Sequence, residues 1–201
     1  MKGEVIAFIS APGVGTSFLT KQMACRHCCP GFFEGEEGIF TPSALSVINS
    51  EEDTPERYGW LTNRTRLMLE RAHIIADTGI TSYVDGDVLL VEAWLNAEIG
   101  NQSPPVLQEW LKTNANLMAD KVIILTASDK KLQENIISRG RVSEQADFIK
   151  LRALRIGQEC ASLGEKYEHV QVLDRSDLEF TNTQTLDFID NLIKEMPSRQ
   201  K

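Results

Sequence analysis

With 201 residues, 42% of them hydrophobic, and a net charge of −8, the chain has the size of one domain with a sufficient core. The acidic balance argues against a nucleic-acid-binding surface, which needs clustered Lys and Arg. No apolar run approaches the ~20 residues of a membrane span, and the N-terminus enters a strand without a basic leader, so the expected location is the cytoplasm.

The first predicted strand is the apolar run 5–9, followed by the Gly-rich turn Ser10-Ala11-Pro12-Gly13-Val14-Gly15-Thr16-Ser17 and a helix over 17–28. This is the pattern of a phosphate loop, in which backbone N–H groups and a helix N-terminus wrap a phosphate. Ser10 holds the small first position, Gly13 and Gly15 keep the turn flexible, and Ser17 keeps the hydroxyl that binds magnesium. The lysine that would reach the transferred phosphate is replaced by Thr16. Lys21 is a poor substitute, a turn inside the helix.

Cys25, His27, Cys28 and Cys29 lie at the end of that helix. They resemble half a metal site, but no second half lies downstream, so the spacing favours reduced thiols at a helix end. Pro30-Gly31 is the expected helix stop. Behind Phe32-Phe33 come Glu34, Glu36 and Glu37, either an acidic surface loop or the place of a general base.

Thr54-Pro55 opens a predicted helix over 56–76, which Gly79 ends. Further strand-length runs lie at 80–84, 88–91, 122–127 and 170–173, with helical spacing at 90–99, 104–116, 129–138, 144–163 and 182–195. Such alternation predicts an α/β fold: a parallel sheet with helices on both faces, in one domain over 1–201. With a phosphate loop after the first strand, the ligand site belongs at the carboxyl ends of the strands.

Five further segments, in order, resemble the deoxynucleoside kinase family of P-loop enzymes. Pro55-Glu56-Arg57-Tyr58-Gly59-Trp60-Leu61-Thr62-Asn63 resembles its Pro-Glu-Arg helix, and Val84-Asp85-Gly86-Asp87 its Asp-Arg-Ser strand end. Ala119-Asp120-Lys121-Val122 resembles its Pro-Asp strand. Arg139-Gly140-Arg141 with Glu144 is similar to its Arg-Gly-Arg-x-x-Glu lid, here about 138–147. Val172-Leu173-Asp174-Arg175-Ser176-Asp177-Leu178 resembles its last strand and acidic turn. The resemblance implies a P-loop kinase three-layer fold with a short Arg-containing lid.

It also implies roles. ATP and Mg2+ would be the cofactors, with Ser17 and Asp85 as metal ligands and Arg139 and Arg141 closing over the donor phosphates. Glu34 is the preferred base. Trp60, Asn63 and Arg64 are candidate contacts to a deoxynucleoside or nucleotide, although Tyr58 and Trp60 fit a helix core equally well. Family members dimerise through helices, so a homo-oligomer, or pairing with a related kinase through 56–76 or 90–99, is expected. Two cations of the family pattern are missing together: Thr16 replaces the lysine and Gly86 the motif arginine, while Asp87 adds a negative charge. The expectation is a nucleotide-binding kinase-like protein with weakened or lost phosphorylation. The alternatives are an active kinase with a non-standard loop and a non-catalytic partner subunit.

Overall fold

The computed structural model describes residues 2–33, 55–98, 105–138 and 147–200. Five parallel strands form one sheet: β1 (Val5–Ser10), β2 (Gly31–Phe32), β3 (Ser82–Asp85), β4 (Lys121–Thr126) and β5 (Val170–Asp174), in the order β2-β3-β1-β4-β5. β1 is the centre, pairing Val5 with Ser82 on one side and Ile6 with Lys121 on the other. All six of its residues are buried, as expected for a strand covered on both faces.

The connecting helices are α1 (Thr16–His27), α2 (Pro55–Asp77), α3 (Val88–Glu98), α4 (Pro105–Asn114), α5 (Asp129–Ser138), α6 (Asp147–Gly164) and α7 (Thr183–Glu195). The predicted strand at 88–91 is a correction. These residues are the first turn of α3, because a short apolar run suits a buried strand and a buried helix equally. α1 ends as the predicted range 17–28 has it, ahead of Pro30-Gly31. Cys28 takes a left-handed conformation (φ +51°), and the Cys29 N–H bonds the Ala24 carbonyl at 2.9 Å, a helix-ending pattern. Gly79 (φ +93°) closes α2 as expected.

α1 is fastened to α7 at its far end. Asp190 accepts from Arg26 Nε at 2.8 Å and lies 2.7 Å from His27 Nε2, and Arg26 also pairs with Asp187. The four cysteines are free thiols, and the described residues hold no group of three or more His, Cys, Asp or Glu side chains placed to share a metal. None of their helices is long and apolar enough to cross a membrane.

The Gly3 N–H bonds the Ala76 carbonyl at 2.9 Å, so the end of α2 sits at the foot of the sheet and its start lies at the carboxyl ends of the strands. α3 is buried along its length: none of its residues is exposed, and Val91 and Leu95 pack with Tyr58, Leu61 and Leu107.

Candidate functional site

The turn between β1 and α1 has the backbone of an anion cradle. Gly13 (φ +95°) and Gly15 (φ +106°) both occupy conformations that side-chain-bearing residues rarely adopt. Gly15 is the N-cap of α1, without a side-chain cap hydrogen bond and with no acid in the first turn. The first amides of a helix have no partner within it, so those of α1 stand at the positive end of the helix dipole with Gly15 and Phe18 lining a cleft. Two side chains hold the outward carbonyls. Asn135 of α5 donates to Gly13 O at 3.1 Å, and Arg175, just past β5, donates to Val14 O at 2.5 Å.

The predicted metal ligands meet. The Ser17 hydroxyl donates to the carboxylate of Asp85, which is 6% exposed at the end of β3. One hydroxyl and one carboxylate, both oxygen donors beside the Gly13–Gly15 turn, are of the chemistry that suits a hard cation such as Mg2+. The Thr16 backbone carbonyl accepts from Thr20 Oγ1 at 2.9 Å within the first turn of α1.

Beside the loop lies a cleft of about 250 Å3, between Gly13, Gly15 and Phe18 on one side and Asn135, Arg175 and Phe180 on the other. The Arg175 guanidinium stacks 4.6 Å over the Phe180 ring. Burial pushes its pKa down and Glu179 opposes this, but an arginine remains charged. Sequence reasoning missed Arg175, Asn135 and Phe180. Arg175 stands in the final-strand segment of the family pattern, but nothing local shows that its side chain folds back onto residues 13–15.

On the acceptor side the outcome is mixed. Arg64 is 4% exposed, with its guanidinium 4.5 Å over the Trp60 ring, so these two candidates come together. Asn63 is exposed, a single helical step of about 100° from Arg64. Tyr58 belongs to the core, and Trp60 packs against it.

Gly86 is not simply a vacated arginine position. Its φ of +139° is left-handed backbone, and a Cβ there would lie 3.0 Å from Met68 Cε. Arg64 lies one turn before Met68, towards the carboxyl ends of the strands.

Asp87 corrects the expectation of an added charge at the phosphate. Its buried carboxylate accepts the Leu89 N–H at 3.0 Å and the Ala119 N–H at 2.8 Å. It therefore caps α3 and ties it to the segment before β4. Burial raises its pKa to about 6, against the pull of these amide bonds. Glu34, Glu36, Glu37, Arg139, Arg141 and Glu144 lie outside the described residues.

No protein-family model matches the sequence, and no curated protein matches it. Solved structures do. A deoxyadenosine kinase from M. mycoides, with products dCMP and a flexible dCDP bound, superposes with a TM-score of 0.73 at 16% identity, over 96% of this chain and 100% of that one. The same enzyme with bound dATP gives 0.68, also at 16% identity, with the same coverage of both chains. Thymidylate kinase from Candida albicans gives 0.67 at 11% identity, over 100% of this chain and 96% of that one. The fold is that of the P-loop nucleoside and nucleotide kinases.

Proposed function

We propose that this protein binds a nucleoside triphosphate at residues 10–17 and a deoxynucleoside or nucleotide near Trp60 and Arg64, with phosphoryl transfer between them weakened or lost. The observation that carries the reading is the cradle: two left-handed glycines, an uncapped helix start, and Ser17 on Asp85. In this reading Ser10, Gly13, Gly15, Thr16 and Ser17 surround the phosphates, Ser17 and Asp85 hold Mg2+, Glu34 is the base, and Arg139 and Arg141 belong to a lid at about 138–147 of a single domain. The solved kinases of this fold bind nucleotides, which supports ATP as the donor in this reading.

The charges argue for weak turnover. Positioned donors at a transferring phosphate typically contribute ~10²–10³ in rate apiece, and positions 16 and 86 supply none. An active kinase with a non-standard loop is the second reading, favoured by the cation that does stand against the loop, Arg175 on Val14 O. A non-catalytic partner subunit has less support, because α3 already packs its apolar residues inside this chain. The four free thiols suit the cytoplasm.

The test is a titration with Mg-ATP, read as a shift in melting temperature, alongside a coupled kinase assay over the four deoxynucleosides. Binding with turnover at background supports the reading. Turnover near the ~1 s⁻¹ of ordinary kinases replaces it with the active-kinase reading. No shift at millimolar Mg-ATP ends nucleotide binding altogether.

A further inference from the structure

The loop lacks its own cation, yet one is packed against it. Arg175 Nη1 donates to Val14 O and lies 2.7 Å from where a Cβ on residue 15 would stand. Phe180 supports the guanidinium from its face, and Nη2 reaches the Leu178 carbonyl at 3.5 Å. Nε is buried with no acceptor among the described residues. Two other cations on α1 are not placed this way: Lys21 is exposed, and Arg26 is held at the opposite end of the helix by Asp187 and Asp190.

We propose that Arg175 is the positioning cation of the phosphate loop, acting through the Val14–Gly15 peptide to hold a nucleotide phosphate that position 16 cannot reach. This rests on the nucleotide-binding reading above. In a planar trans peptide the C=O and the following N–H point in opposite directions. Gripping the Val14 carbonyl from the β5 side therefore turns the Gly15 N–H away from Arg175 and into the cradle. Asn135 holds the preceding peptide by Gly13 O, but the Val14 N–H of that peptide bonds the Ala11 carbonyl at 3.4 Å, which leaves the Gly15 N–H as the amide that Arg175 orients. The guanidinium is permanently charged, and its charge behind the peptide reinforces the dipole that the phosphate meets. A lysine at position 16 would touch the phosphate. Arg175 orders and polarises the amides that do.

The consequence is selective for charge: ligands with phosphates depend on Arg175, and the bare nucleoside does not. Isothermal titration of ADP, ATP and adenosine into wild type, Arg175→Gln and Arg175→Lys reads this directly. Arg175→Gln is expected to weaken ADP and ATP about tenfold and adenosine less than twofold, with Arg175→Lys recovering most of the loss. Equal losses for adenosine and ADP would mean that the side chain only shapes the cleft, and would overturn the proposal. So would an Arg175→Gln protein that binds ADP like wild type. Wild type that binds none of the three ligands defeats the nucleotide reading itself, and this inference with it.

Wild type also provides a check that no folding defect can obscure. ADP must move the Gly15 amide and Arg175 Nε–H resonances with the same half-point. A Gly15 shift beside an unmoved Arg175 rejects the role.

Discussion

The Ser17 hydroxyl hydrogen-bonds the Asp85 carboxylate, joining the start of α1 to the end of β3 beside the Gly13–Gly15 turn. In the proposed reading these two oxygens would hold a divalent cation, which would supply positive charge beside a bound phosphate.

Magnesium dependence is therefore the first expectation. Wild type should bind ATP more tightly with Mg2+ than with EDTA, and Ser17→Ala or Asp85→Asn should bring the two conditions within about twofold. Calorimetric titration in both buffers checks this. A magnesium effect of full size in Asp85→Asn would remove these residues as the metal site.

Asp87 should govern stability rather than phosphate chemistry. Asp87→Ala leaves the Leu89 and Ala119 amides without their carboxylate and removes the α3 cap, a loss of about 2–4 kcal/mol from the two effects together. Urea denaturation measures it. ATP affinity should be unchanged in the folded fraction.

The same residue predicts a pH trend. Its folded pKa of about 6 lies above the ordinary 3.8, so between those values the native state binds more protons than the unfolded state. Its contribution to stability consequently falls as pH rises from about 4 to 6, and is flat above that. The stability difference between wild type and Asp87→Ser, measured by denaturation from pH 4 to 8, should show this slope. A difference independent of pH would contradict it.

Restoring the two missing cations should give unequal results. Thr16→Lys places a charge at an intermediate-exposure position of a loop already shaped to receive it, and should tighten ATP about tenfold. Gly86→Arg must force a side chain onto backbone at φ +139° and push back Met68, costing roughly 1–3 kcal/mol. Melting temperatures of the two variants distinguish these outcomes, and the double variant should inherit the instability.

Arg64→Met tests the acceptor side. It keeps much of the side chain's length over Trp60 while removing the charge, so deoxynucleoside or deoxynucleotide binding should weaken about tenfold while ATP binding is retained. Equal loss of both ligands would mean a folding defect, not a recognition role.

Much of this architecture was legible in the sequence because it is written locally. The run Val5–Ile9, two glycines and a helical pattern predict strand, turn and helix in register, while Asp85 is singled out by the resemblance of Val84-Asp85-Gly86-Asp87 to the family's Asp-Arg-Ser strand end. What stayed hidden depends on backbone angle, helical rotation or distant contact. Gly86 read as a lost arginine, although its backbone suits glycine. Asn63 and Arg64 differ by one residue and hence by about 100° of helix, enough to put one in solvent and the other inside. Arg175 and Asn135 act on residues 13–15 from more than a hundred positions away, where no local pattern announces them.

The place of β1 in the sheet has a bearing on how the chain reaches this state. The central strand comes first in sequence, yet its hydrogen-bonded neighbours begin at Ser82 and Lys121. Both of its edges stay open until long loops have closed, and closure is the slow step in folds dominated by distant pairings. During that interval Val-Ile-Ala-Phe-Ile is an uncharged, unpaired apolar segment of the kind that associates between chains. Slow refolding and loss to aggregates at high protein concentration are the expected consequences of the same strand order that puts the loop after the central strand.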